Sequence, residues 1–218
     1  MRFERKFISK SINNFDLNRF LINNNFKNIY PSRFVNSIYY DTIDLCNYFE
    51  SVHGIVSRNK ARLRFYNDDI KNIILENKIK NSDLGIKKYK EFYIGREGSF
   101  PLKMKSIIKK NKELIINIPK KINDNLFPIL LVVYKRDYYE SIDNKLRITL
   151  DYNLRFASLR NINQNKCIFN FLRSDIKVVE MKYSKNLNQE RIISQLSNYF
   201  NLNLSRFSKY CTGIEMTF

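Results

Sequence analysis

In segment after segment of this chain, charged and apolar residues change places at every second position, and that period of two commits most of the sequence to β-strands. Residues at i and i+2 on a strand share a face. Sorting on that basis puts Arg2, Glu4 and Lys6 on one face of the first segment, with Phe3, Arg5 and Phe7 on the other. Arg62 and Arg64 oppose Leu63 and Phe65, and Glu76, Lys78 and Lys80 oppose Leu75 and Ile79. Arg147, Thr149 and Asp151 oppose Ile148, Leu150 and Tyr152, while Glu180 and Lys182 oppose Val179, Met181 and Tyr183. Eight such segments stand near residues 2–8, 34–41, 60–66, 73–80, 86–94, 130–139, 145–152 and 177–183, enough to close a barrel. Helical periodicity is confined to Phe15–Phe26, Leu102–Leu114 and Asn188–Phe200.

A half-exposed sheet with charges in water would alternate in the same way. Two features favour a polar interior instead. The charged faces carry Lys6, Arg62, Arg64, Lys78, Lys80, Arg147 and Lys182 at matched positions, whereas a solvated face mixes signs more evenly. Three amphipathic helices are also available to cover the apolar faces. A lumen lined this way must be wet or filled with anions, because an unpaired buried charge costs several kcal/mol.

The chain has 218 residues, enough for a single domain with a sizeable core. Its 39 Lys and Arg against 21 Asp and Glu give a net charge of +18, so a polyanion is the natural partner, although part of the charge is accounted for by ordinary solvated surface. The apolar run Pro128–Tyr134 falls far short of the ~20 residues that span a bilayer, and it reads as a buried strand. Charges interrupt the N-terminal segment, which excludes a signal peptide and leads us to expect a cytoplasmic chain. Cys46, Cys167 and Cys211 lack metal-ligand spacing and read as free thiols. The single histidine, His53, leaves no catalytic triad or zinc site to build.

Eight short motifs occur in order: Arg2–Phe7, Val35–Thr42, Arg62–Tyr66, Leu75–Lys78, Tyr134–Tyr139, Arg147–Asp151, Val179–Lys182 and Ser208–Tyr210. Together they resemble the VTC domain, the catalytic domain type of polyphosphate polymerases, within the CYTH-like triphosphate tunnel metalloenzymes. The resemblance implies an α+β fold: a closed eight-stranded antiparallel β-tunnel with flanking helices, formed by residues 1–218 as one domain. It also implies that Lys6, Arg62, Arg64, Lys78, Lys90, Arg136, Arg147 and Lys209 coordinate phosphates, and that Glu180 binds Mn²⁺ or Mg²⁺. Glu4 and Glu76 are assisting metal ligands in that scheme, with ion pairing to neighbouring cations as the competing reading. Lys182 joins the substrate-binding set. In Gly85–Glu91, alternation puts Lys88 and Lys90 on one face, and either can serve. Asp41 matches the strand-end acid of the family, in a structural or a functional role.

One departure stands out. The related CYTH triphosphatases resemble Glu-x-Glu-x-Lys at the first strand, and here Arg2 replaces the leading acid, which favours transfer over hydrolysis. The implied activity is transfer of the terminal phosphate of ATP, or of another nucleoside triphosphate, onto polyphosphate. Hydrolysis of triphosphate in the same tunnel, and capture of polyphosphate or inositol phosphate without turnover, are the alternatives. The 17 Phe and 14 Tyr residues raise nucleic-acid binding, but no recognised motif accompanies them and most fall on apolar strand faces. No transmembrane segment is encoded, and a membrane partner protein is left open.

Overall fold

A computed structural model describes residues 2–56, 58–67, 69–81, 84–93, 126–160, 169–184 and 187–218. Within them the order is β1 (Arg2–Ser9), α1 (Asn14–Asn23), β2 (Phe26–Asp41), α2 (Cys46–Val52), β3 (Arg58–Tyr66), β4 (Asp69–Asn81) and β5 (Leu84–Tyr93). There follow β6 (Phe127–Ser141), β7 (Leu146–Ser158), β8 (Leu172–Ser174), β9 (Lys177–Ser184), α3 (Leu187–Tyr199), β10 (Asn203–Leu204) and α4 (Lys209–Thr217). The fold is α+β, with a large sheet ordered β10-β1-β9-β7-β6-β2-β3-β4-β5 and β8 paired off this path with β7. The pairings of β1 with β9 and β10, β2 with β3, β3 with β4, β4 with β5, and β7 with β9 are all antiparallel.

Two parts of the sequence expectation change. The sheet has ten strands where eight are expected, and its described ladder is an open path ending at β10 and β5 where a closed ring is expected. Strands of two and three residues, as in β10 and β8, are too short for alternation to mark, and alternation does not encode which edges pair. The expected helix over Leu102–Leu114 lies outside the described residues.

The chain forms two compact units. The first comprises Met1–Phe34, Tyr134–Leu154 and Arg173–Ser208. Its core joins Phe7, Ile148, Leu150, Val179 and Met181 from the strands to Leu17 and Leu21 of α1 and Ile193 and Leu196 of α3. Leu17 and Leu21 are one helical turn apart and fully buried, each contributing roughly 1.5–3 kcal/mol. Asn13 caps α1 by accepting the Phe15 N–H at 2.8 Å, and Asp16 sits favourably in its first turn. The helix stops at Asn24 and Asn25, the latter at φ 63°, so Phe26 begins a strand rather than ending the helix.

The second unit comprises Val35–Val133, Arg155–Leu172 and Lys209–Phe218. Ile38, Tyr40, Leu63, Phe65, Ile73, Leu75, Leu131 and Val133 form its core. The reverse face of β6 is covered as well: a Cβ on Gly213 of α4 would stand 2.5 Å from a Leu130 methyl and 2.7 Å from the Phe156 ring. Only glycine allows this close approach of helix to strand. Burial on both faces explains why Ile129–Tyr134 is apolar without alternation.

Candidate functional site

In the second unit the polar face of β2, β3 and β4 carries a compact cation cluster. Register pairs Ser37 with Arg64, Tyr39 with Arg62, and Arg62 with Glu76. The Glu76 carboxylate is buried and lies between two guanidinium groups. It accepts from Arg62 Nε at 2.6 Å and from Arg64 Nη1 at 3.2 Å, and it also pairs with Arg62 Nη2. Arg62 Nη1 donates to the Tyr39 hydroxyl at 3.0 Å. Lys60, on the same face, places its ammonium 5.7 Å from the centre of the Tyr210 ring. Among the described residues, one carboxylate thus holds two arginines. Arg64 is 8 % exposed, and its Nε finds no hydrogen-bond partner among the described residues.

Tyr39 shows the consequence of that field. Burial pushes its phenol up, but Arg62, Arg64, the hydrogen bond from Arg62, and Lys209 together bring it below the ordinary tyrosine value. Its ring stacks on Tyr210 with centroids 5.1 Å apart. Tyr210 in turn bonds to Asp41, whose oxygens also accept the Thr42, Asn47 and Tyr48 N–H groups at 2.8, 2.9 and 3.0 Å. Asp41 therefore caps α2 and ties down α4, which is a structural role.

The polar face of the first unit is built differently, with cations and acids interleaved. Lys6 pairs in register with Glu180 and Glu4 with Lys182. Lys182 Nζ lies 2.7 Å from Glu180 and 3.7 Å from Glu4, and Lys6 Nζ lies 3.6 Å from Glu4. Arg136 grips the fully buried Asp151 in a two-pronged pair, Nε at 2.5 Å and Nη2 at 2.7 Å. Arg147 pairs with Glu140 at 2.7 Å and is largely exposed. Burial alone would raise the Glu180 pKa, but Lys182, Arg136 and Lys6 outweigh it and hold the carboxyl well below its usual range.

The sequence-based site residues thus fall into two groups. Arg62, Arg64 and Glu76 meet in the second unit, with Lys209 close enough to act on Tyr39. Lys6, Glu4, Glu180, Lys182 and Arg136 meet in the first, with Arg147 at its exposed margin. Lys78 is an exposed residue of β4. Register pairs Lys88 with Asn77 and Lys90 with Leu75, and places Lys87 opposite Lys78. The strand position level with the charged residues is therefore that of Lys87, and the side chains of all three lie outside the described set. Sequence reasoning assigned no role to Tyr39, Asp151 or Glu140. Tyr39 shares parity with Ser37, opposite the apolar Ile38 and Tyr40, and that parity was the available signal.

No three His, Cys, Asp or Glu side chains converge as a ligand set among the described residues. Glu180, held ionised, has the chemistry to serve a phosphate-borne divalent ion, since Mg²⁺-like ions take one or two carboxylates and complete their shell with water and phosphate oxygens. Glu4 and Glu76 fit less well: both oxygens of Glu4 face lysine, and both of Glu76 face arginine.

The fold recurs in solved structures. Protein PH1819 from Pyrococcus horikoshii OT3 matches with TM-score 0.53 and 15 % identity, covering 98 % of this chain and 99 % of that one. A candidate adenylyl cyclase from Hippeastrum, described as having a dominant triphosphatase activity, matches with TM-score 0.52 and 14 % identity over 100 % and 97 % of the two chains. A candidate adenylate cyclase from Vibrio parahaemolyticus gives 0.51 and 12 %, over 95 % and 94 %. No curated protein matches the sequence. The three structures share the overall fold of this chain. Residues 2–218 match the VTC domain, and the chain belongs to that family.

Proposed function

We propose that this chain is a polyphosphate polymerase that transfers the terminal phosphate of ATP onto the end of a growing polyphosphate. The observation that carries this reading is VTC-family membership across residues 2–218 in a chain whose polar strand faces are so rich in Lys and Arg. Residues 1–218 would act as one VTC-type tunnel domain. Phosphoryl transfer has a loose transition state with little covalent work for side chains, so alignment and charge stabilisation suffice. Arg62 and Arg64 would hold nonbridging oxygens through guanidinium edges, supported by Lys78, Lys209 and a lysine of β5. Lys6, Arg136, Arg147 and Lys182 would hold the remaining phosphates. Glu180 would seat Mn²⁺ or Mg²⁺, which would neutralise charge on the triphosphate. An oxygen of the polymer's end phosphate attacks the γ-phosphorus, the bond to the β-phosphate oxygen breaks, and ADP leaves. The attacking oxygen is already anionic at neutral pH, so the reaction needs no general base, in keeping with a chain that has one histidine.

A cytoplasmic enzyme working on ATP fits this chemistry. Among the described residues no helix is long and apolar enough to cross a membrane. Hydrolysis of triphosphate is the second reading, with Glu180, held ionised, as the acid that would serve the metal.

Purified protein incubated with ATP and Mn²⁺ and analysed on gels separates these readings. A phosphate ladder is expected. Orthophosphate without a ladder would establish the hydrolase, and tight tripolyphosphate binding without either product would establish a binding module. Glu180→Gln should abolish metal-dependent turnover while tripolyphosphate binding persists.

A further inference from the structure

Around Arg62 and Arg64 stand hydrogen-bond donors that meet no acceptor among the described residues. The Tyr39 hydroxyl accepts from Arg62 Nη1, yet its own hydrogen meets no acceptor among the described residues. Among the described residues Arg64 Nε is buried without a partner, and so is the Ser37 hydroxyl, which stands opposite Arg64 in register. Buried donors without acceptors are rare and costly unless something fills the position. Three on one face of two adjacent strands, inside a field set by two arginines, describe a place for an anionic oxygen.

We propose that Tyr39 is a phosphate-binding residue, donating its phenolic hydrogen to a nonbridging oxygen that Arg64 Nε and Arg62 also contact. The inference rests on the phosphate-handling function above and deepens it by adding a neutral donor to the cationic set. The geometry prepares the hydroxyl for that role. Arg62 supplies its lone pair with a donor, which polarises the O–H, and stacking on Tyr210 fixes the ring direction. Tyr210 is itself anchored to the buried Asp41, so the platform is rigid before substrate arrives. A neutral donor amid cations distinguishes protonation states: phenol grips a phosphate oxygen and phenolate repels it.

Tripolyphosphate binding, measured by calorimetry on wild-type protein and on Tyr39→Phe between pH 6.5 and 9.5, tests this. The ring and its stacking survive the substitution, and only the hydroxyl is lost. Phe should weaken binding roughly tenfold at pH 7, the usual loss for a hydrogen bond to a charged partner. Wild-type affinity should also decline on the alkaline side more steeply than that of the variant, because only the wild type has a phenol to ionise at position 39. A purely structural tyrosine would not change the shape of the pH profile. Equal affinity and parallel profiles in the two proteins would overturn the role of Tyr39 while leaving the phosphate-binding reading intact. No wild-type binding at all would overturn both. Should Tyr39→Phe not fold, ring-carbon NMR of wild-type tyrosines decides. One of the 14 resonances must titrate below the ordinary range in free protein and move back up with tripolyphosphate, and failure to find it sinks the proposal.

Discussion

The two polar faces solve the same problem, many charges beside a hydrophobic sheet, in opposite ways. Among the described residues of the second unit, Glu76 serves both Arg62 and Arg64 and Arg64 Nε is left over. In the first, acids and cations are matched almost one to one: Arg136 with Asp151, Arg147 with Glu140, and Lys6 and Lys182 with Glu4 and Glu180. Among the described residues, the cluster around Glu76 leaves donors unspent, whereas the paired one holds its own shape and keeps Glu180 ionised. Counting Lys and Arg along the chain cannot separate these cases, because the difference lies in the partners.

The contrast can be broken most severely at Asp151. Asp151→Ala leaves Arg136 buried without its partner and should cost about 3–5 kcal/mol, read as a lower urea midpoint, with little change if the pair were dispensable. Next in size is ligand affinity. Arg64→Ala should weaken tripolyphosphate binding by roughly 2 kcal/mol or more, whereas Arg147→Ala, at the exposed margin, should change it far less. Equal losses at both sites would erase the distinction between the faces.

A smaller effect appears in the acid limb of stability. The Glu180 pKa is depressed in the folded state, so its ionised form contributes stability above the unfolded value near pH ~4.3, and that contribution is lost as pH falls towards the depressed value. Glu180→Gln should flatten the fall of melting temperature below pH ~4.3, and an unchanged slope would show that Glu180 is not linked to folding. Smallest of all, Glu140→Gln breaks a pair whose arginine is largely exposed, and the cost should stay within about 1 kcal/mol by denaturant titration.

Much of this was legible beforehand. Alternation assigned Arg62, Arg64 and Glu76 to one face, and Lys6, Glu180 and Lys182 to another, because strand parity is a local property. It could not reveal which acid each cation meets, since that depends on inter-strand register, and register is set by turns and by irregularities such as the shift between Arg64 and Tyr66. The β5 lysines show the same limit, with Lys87 and not Lys88 or Lys90 level with Lys78. Helix α2 was invisible because seven residues carry too little periodicity and its start is fixed by the Asp41 carboxylate arriving from the end of β2. Helix α4 was obscured by Gly213, poor in helix propensity but required by contact with Leu130 and Phe156. The first half of β2 was hidden by Pro31 and by exposed polar residues without alternation.

By itself, the sequence determined a chain of amphipathic strands with a strongly cationic polar side, and motifs that place it in the VTC family. Tertiary structure alone decided how those charges are spent: two arginines sharing Glu76, Arg136 locked to Asp151, Tyr39 left with a donor to offer. The reason is that charge and parity travel with each residue, whereas compensation is a property of neighbours brought together across strands, and neighbours exist only once the sheet has chosen its register.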